Sequence, residues 1–304
     1  MAQVPGFCPE GEEVKKMDDT TKTKKRGPYL PRELRIKIYN DVIALHQQGR
    51  SYNEIRMIIR QKYGVWISKT IISQWVRGLH NPYNGRRIPS LELLEPSEDL
   101  AYIIGMRLGD GYTCKERHRY SYIGFITLRA KDREFVEEAA LRVASTLNIP
   151  PPKIYFDAKS GKYYFRVRSQ TLYELLKKPY NFELLRKYIE HCPKCIAACL
   201  RGLFDSEGTV TKYGEIRLTN SDYTLLEYVR SLLKIFNIET TEPKLVHQQG
   251  SITCIKGRQC IRRRDVYHIR VPPKFSINFY YHIGFTIRRK QKRLEEYLRS
   301  TGKI

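Results

Sequence analysis

Apolar side chains recur every three or four residues along some stretches of this chain and every second residue along others, dividing it into helices and strands. From Pro31 onward, Leu34, Ile38, Val42 and Leu45 mark one face of a helix that Gly49 stops. Ser51 stands three residues before Glu54, a capping box that opens a second helix with Ile55, Ile58 and Ile59 as its apolar stripe. A third helix is predicted from Ser68 to about Gly78. It turns Ile71, Ile72, Trp75 and Val76 inward and Lys69, Thr70, Ser73, Gln74 and Arg77 outward.

Three short helices ending in a polar, basic face resemble a helix-turn-helix module, whose last helix enters the major groove of DNA. A small bundle used for protein contacts has the same pattern. Residues 1–28 carry mixed charge and the run Lys22, Lys24, Lys25, Arg26, and read as a flexible tail before a module at 29–84. The stretch Asn81-Pro82-Tyr83-Asn84-Gly85-Arg86-Arg87 is rich in turn formers, so residues 85–96 are read as a linker.

From Ser97 the chain repeats itself at an offset of 97. Ala101, Gly105, Gly109, Asp110 and Gly111 fall on Ala198, Gly202, Ser206, Glu207 and Gly208. Each segment is followed by an alternating strand (Phe125 to Arg129, Glu215 to Thr219) and a helix ending at an Asn-Ile pair (Asn148-Ile149, Asn237-Ile238). Aromatic, basic strands come later, at Tyr163 to Arg168 and Asp265 to Val271. The two copies are placed at 97–190 and 191–304.

A small residue at every fourth position forms a smooth stripe on a helix, and two such stripes let backbones nearly touch. Each stripe ends in an acid and a glycine, and the glycine is expected to take the left-handed turn that ends a helix. Side-by-side packing then brings Asp110 and Glu207 together, and neighbouring carboxylates repel unless a proton or a cation intervenes. With phosphate as substrate, Mg²⁺ or Mn²⁺ fits such a site.

The doubled segment resembles the paired motifs of the LAGLIDADG homing endonucleases, in the single-chain, archaeal-like form that carries both motifs in one polypeptide. The resemblance covers roughly residues 97–300. It implies an α+β fold, a pseudo-twofold tandem of αββαββα units whose sheets straddle double-stranded DNA, here with a small all-α N-terminal domain. It implies a monomeric, site-specific endonuclease, expected in the cytoplasm beside the nucleoid because no membrane-spanning run or signal-peptide core is seen. Asp110 and Glu207 match the family's metal-binding acids, and Gly109 and Ser206 match the positions whose backbone carbonyls also touch metal. Arg129 and Lys290 are candidates for the basic residues that flank the cleavage site. Arg107 and Leu108 depart from the motif, standing where it usually has an apolar residue and Asp. The same fold also serves non-cleaving transcriptional regulators and maturases that hold intron RNA.

Alternation in the strands supports a binding face: Tyr164, Arg166 and Arg168 lie opposite Phe165 and Val167, and Lys212 and Arg217 take that role in the second half. Charge points the same way, since 55 Lys and Arg against 32 Asp and Glu leave a formal +23. No apolar run approaches a membrane span and no signal-peptide core is present. Seven cysteines argue against a full disulfide framework. Cys192-Pro193-Lys194-Cys195 has the spacing of half a zinc site, and Cys254 with Cys260 offers a second pair or a local disulfide, but no second tight pair exists and buried or idle thiols are the default reading. The ends, Met-Ala-Gln and Thr-Gly-Lys-Ile304, lack the nucleophile and the His-Asn pair that inteins need, so a free-standing protein is expected.

Overall fold

The structure, a computed structural model, describes residues 30–77, 82, 91, 94–118, 121–255 and 258–304. The tail expected at 1–28 and most of the expected linker lie outside the described residues. The chain divides into two units near Pro82.

In the first unit, α1 (Arg32–Gln47), α2 (Tyr52–Tyr63) and α3 (Lys69–Val76) enclose Ile38, Val42, Ile55, Ile59, Ile72 and Trp75. The capping box forms as expected: the Ser51 hydroxyl accepts from the Glu54 amide, and Glu54 Oε2 accepts from the Ser51 amide at 2.8 Å. Ile71 corrects the sequence reading, for it is 38% exposed. In a helix of eight residues Ile72 and Trp75, three apart, define the buried face, and Ile71 sits a third of a turn away from it. Lys69, Thr70, Gln74 and Arg77 are exposed and Ser73 is half-buried.

The second unit holds the two repeats around one continuous core. The first runs α4 (Glu98–Leu108), β1 (Tyr112–His118), β2 (Ser121–Ala130), α5 (Arg133–Leu147), β3 (Tyr155–Asp157), β4 (Lys162–Arg168) and α6 (Gln170–Leu176). A short α7 (Phe182–Ile189) leads to the second: α8 (Pro193–Glu207), β5 (Gly208–Val210), β6 (Ile216–Asn220), α9 (Tyr223–Lys234), β7 (Lys244–His247), a hairpin of β8 (Ile252–Ile255) and β9 (Arg258–Ile261), β10 (Val266–Val271), α10 (Ser276–His282) and α11 (Arg288–Ser300). The antiparallel sheets have matching orders, β1-β2-β4-β3 and β5-β6-β10-β7, so the halves share one topology. This is the expected α+β tandem. The β8–β9 hairpin is an insertion in the second half that the repeat pattern did not announce. Cys254 pairs in register with Gln259, and Cys260 with Thr253. Side chains alternate along a strand, so the two cysteines point to opposite faces of the hairpin, which argues against a local disulfide between them.

The helix pair at the centre is built as the small-residue stripes require. A Cβ on Gly105 would lie 1.9 Å from the Cys199 carbonyl oxygen, and one on Gly202 would lie 2.4 Å from that of Tyr102. The backbones therefore touch. Gly111 and Gly208 contradict the expected left-handed turn: neither has positive φ, and Gly208 opens β5 with φ −80° and ψ 148°. Both are needed for space, since a Cβ would meet Met106 Sδ at 2.4 Å or the Phe204 carbonyl oxygen at 2.4 Å. In each repeat a left-handed residue instead ends the helix after the second strand, Asn148 (φ 50°) after α5 and Asn237 (φ 56°) after α9.

Candidate metal-binding and nucleic-acid site

Asp110 follows the end of α4, and Glu207 is the last residue of α8. The contact that starts at Gly105 and Gly202 continues to these ends: a Cβ on Gly109 would lie 2.3 Å from Ser206 Cβ and 3.2 Å from Glu207 Cγ. The Ser206 hydroxyl donates to Gly202 O at 3.0 Å and reaches across to Met106 O at 3.4 Å. Burial, then the charge of Asp110, push the Glu207 carboxyl up to about 7, with Lys290 opposing. Burial also raises the Asp110 carboxyl, while Lys162 and Lys290 pull it down. The structure thus brings the two predicted acids together at a site where both ionise reluctantly. Among the described residues no three His, Cys, Asp or Glu side chains converge, so the donors on offer are two carboxylates and the neighbouring backbone carbonyls.

One residue the sequence reading passed over is Asp205, 1% exposed. Its Oδ2 accepts from the Tyr102 hydroxyl at 2.8 Å, and its Oδ1 from the Thr286 amide at 2.9 Å and the Ile287 amide at 3.4 Å. It ties the end of α8 to α4 and to the segment entering α11. The signal was available, since Asp205 occupies the motif position that Leu108 fails to match in the first half. Lys290 is buried, and its ammonium donates to Phe204 O at 2.9 Å and Asp205 O at 2.5 Å. Burial lowers its pKa to about 8. The cation thus sits on the last carbonyls of α8, where the helix dipole favours it. Arg107, also buried, stacks on the Tyr180 ring at 5.1 Å and donates to the Tyr180 hydroxyl.

A pocket of about 230 Å³ opens on the Asp110 side, lined by residues of both halves. Arg129 lines it, pairs with Asp157 at 3.3 Å and lies over the Tyr164 ring at 4.9 Å. Lys131, Lys162 and Arg289 line it as well and were not singled out from sequence. Arg289 makes a two-pronged pair with Asp132 at 2.7 and 2.8 Å, joining α11 to the start of α5.

On β4, Phe165 and Val167 are buried while Arg166 and Arg168 are exposed and Tyr164 is half-buried. Arg166 pairs with Glu116 and covers the Phe125 ring at 3.8 Å. In the second sheet Arg217 pairs with Glu215 and stands in register with Arg270, while His268 faces Thr219 and Lys244. Burial, then the charges of Arg270 and Arg217, lower the His268 pKa. Lys212 is exposed in the turn before β6, beside Tyr213, 67% exposed. No helix among the described residues is long and apolar enough to cross a membrane.

Residues 194–270 match a family model described as a LAGLIDADG-like domain. An uncharacterized protein of Methanocaldococcus jannaschii is 31% identical over 271 residues, 88% of this chain and 95% of that protein. A DNA polymerase of Thermococcus litoralis is 32% identical over 212 residues, 65% of this chain but only 11% of the polymerase. Among solved structures, the homing endonuclease I-DmoI in complex with DNA and Ca is 20% identical, with a TM-score of 0.47, covering 65% of this chain and 97% of its own. The matched domain model, the near full-length relative, and two repeats that each end a glycine-lined helix in an acid place the chain in the LAGLIDADG family.

Proposed function

We propose that this chain is a site-specific double-strand DNA endonuclease that depends on a divalent cation and works as a monomer in the cytoplasm beside the nucleoid. The observation that carries the reading is the pair Asp110 and Glu207, held together at the ends of two helices whose backbones touch. Each acid is desolvated, and the charge of Asp110 raises the cost of ionising Glu207. A cation relieves both costs, so the donor set fits a hard, oxygen-seeking metal. Asp110 and Glu207, with the backbone carbonyls of Gly109 and Ser206, would hold Mg²⁺ or Mn²⁺. Bound there, the cation supplies charge neutralisation and activation of water for in-line displacement at phosphorus.

The protein's own groups do the rest. Lys131, Lys162 and Arg289 give the adjoining pocket a basic wall suited to a phosphate. Arg129, held by Asp157 and Tyr164, adds to that wall. Lys290 acts as a positioning residue, fixing the end of α8 so that Glu207 is presented in one place. Arg166 and Arg168 on the first sheet and Lys212 and Arg217 on the second, joined by Arg270, contact the DNA backbone and bases. The N-terminal unit contributes a second DNA contact through Lys69, Thr70, Ser73, Gln74 and Arg77 on α3. A protein that only bound DNA would gain nothing from two carboxylates placed near phosphates, which separates this reading from a regulator.

Incubating the purified protein with DNA of its own genomic locus, with Mg²⁺ or with chelator, tests the proposal. Cleavage should require Mg²⁺ and vanish in Asp110→Asn and Glu207→Gln while binding persists. Binding by the unaltered protein without any cutting on its own locus would replace the nuclease with a regulator.

A further inference from the structure

The sequence motif that the nuclease reading leaves unused is Cys192-Pro193-Lys194-Cys195. Cys192 is the N-cap of α8, extended at φ −157° and ψ 162°, with Pro193 in the first helical turn. Its sulfur accepts a hydrogen bond from the Cys195 amide at 3.3 Å, and the two Sγ atoms lie 3.2 Å apart. A disulfide is about 2.05 Å long, so closing the bond takes a movement of only about 1 Å. Cys192 is partly exposed and Cys195 is buried, which offers one sulfur to a reagent and keeps the other behind it. The start of a helix stabilises a thiolate through its partial positive charge and free amides. Hydrogen bonds from the Cys195 thiol and amide lower the Cys192 pKa against the opposing charge of Glu98, whereas burial pushes Cys195 up to about 12. A structural zinc needs four ligands, and among the described residues no group of even three His, Cys, Asp or Glu side chains converges.

We propose that Cys192 and Cys195 form a reversible redox dithiol that is oxidised by low-molecular-weight disulfides. The Cys192 thiolate attacks one sulfur of the reagent; the reagent's S–S bond breaks, leaving a mixed disulfide on Cys192 and releasing one thiolate. Cys195 then gives its proton to solvent base and attacks the Cys192 sulfur, expelling the second thiolate. The protein loses two electrons and the reagent gains them, so the step balances. Its product links the cap of α8 to the first turn of the helix whose other end carries Glu207. Of the remaining described cysteines, burial pushes Cys199 up to about 12, Cys254 and Cys260 point to opposite faces of their hairpin, and Cys114 lies on β1, where its sulfur accepts from Arg166 at 3.7 Å. The proposal does not depend on the nuclease reading.

The test equilibrates the full-length protein in glutathione buffers of graded oxidised-to-reduced ratio, then quenches with acid, alkylates and maps the peptides by mass spectrometry. The expected result is an intramolecular Cys192–Cys195 disulfide, two hydrogens lighter than the dithiol, reversed by dithiothreitol and unchanged in a Cys254→Ser, Cys260→Ser double variant. Cys195→Ser should stop at the mixed disulfide on Cys192. Cys192→Ser keeps a capping hydroxyl, so it should fold, and glutathione should react at Cys195 at least about tenfold more slowly than at Cys192 in the unaltered protein. The proposal is overturned if both thiols stay free to alkylate in fully oxidised glutathione, or if the mixed disulfide on Cys192 persists unresolved in the unaltered protein.

Discussion

The two halves of the core share strand order, helix-end acids and glycine spacing, yet they hold their acids by different chemistry. In the second half, buried Asp205 and Lys290 knit the end of α8 to α4 and α11 through hydrogen bonds to backbone and to Tyr102. In the first half, Leu108 fills the place of Asp205, and the end of α4 is held by Arg107 stacked on Tyr180, whose hydroxyl donates to Arg107 O at 3.2 Å. Shape has been duplicated and electrostatics have not. Two carboxylates in unequal surroundings ionise in turn rather than together, and Glu207 is the later of the two to do so at the value of about 7.

The comparison breaks most severely where both halves depend on one feature. Gly202→Val puts a branched side chain where even a Cβ would meet a backbone oxygen at 2.4 Å, so the core should lose at least about 3 kcal/mol, read as a lowered urea midpoint. The next largest effect sharpens the difference between the halves. Asp205→Leu copies the first half's residue but leaves the Tyr102 hydroxyl and the Thr286 amide without their acceptor, and should cost about 3 kcal/mol. A cost well under about 1 kcal/mol would show that the asymmetry has no energetic content.

A smaller effect appears in the pH dependence of the metal-free protein. The folded-state value of about 7 for Glu207 lies above its ordinary 4.5, so the folded state holds that proton better than the unfolded one. The resulting stability is fully present below 4.5 and is lost as pH rises through about 7. Urea midpoints should therefore fall across that window, and Glu207→Gln should remove the fall, leaving the variant about 1–2 kcal/mol more stable than the parent on the alkaline side after allowance for solvent screening. Asp110→Asn should act in the same direction. The smallest effect is on the sheet faces: Arg166→Gln or Arg217→Gln should each lower the salt slope of DNA binding by about one counterion.

The repeat made most of the core legible. Acid aligned with acid and small residue with small residue at a fixed offset, because close helix packing tolerates few substitutions, and the structure keeps that register. Strand alternation at Phe165 and Val167 was readable for the same reason, since a two-residue period admits one buried face. The rest was decided by packing that the apolar pattern does not display. Gly111 and Gly208 look like helix-ending glycines but are small because Met106 and Phe204 press on them. Asp205 and Lys290 lie 85 residues apart in sequence and meet only in the folded core. The β8–β9 hairpin has no counterpart in the first half, so a search for repetition passes over it. Ile71 shows that a short helix with adjacent apolar residues has more than one candidate inner face.

The central claim is that Asp110 and Glu207 act as one site for a divalent cation, and the most direct measurement is a Mn²⁺ titration of the DNA-bound protein followed by electron paramagnetic resonance. The unaltered protein should bind Mn²⁺, with the signal of the bound ion weakened or lost in Asp110→Asn and in Glu207→Gln alike. Mn²⁺ binding that is unchanged in both variants would contradict the account.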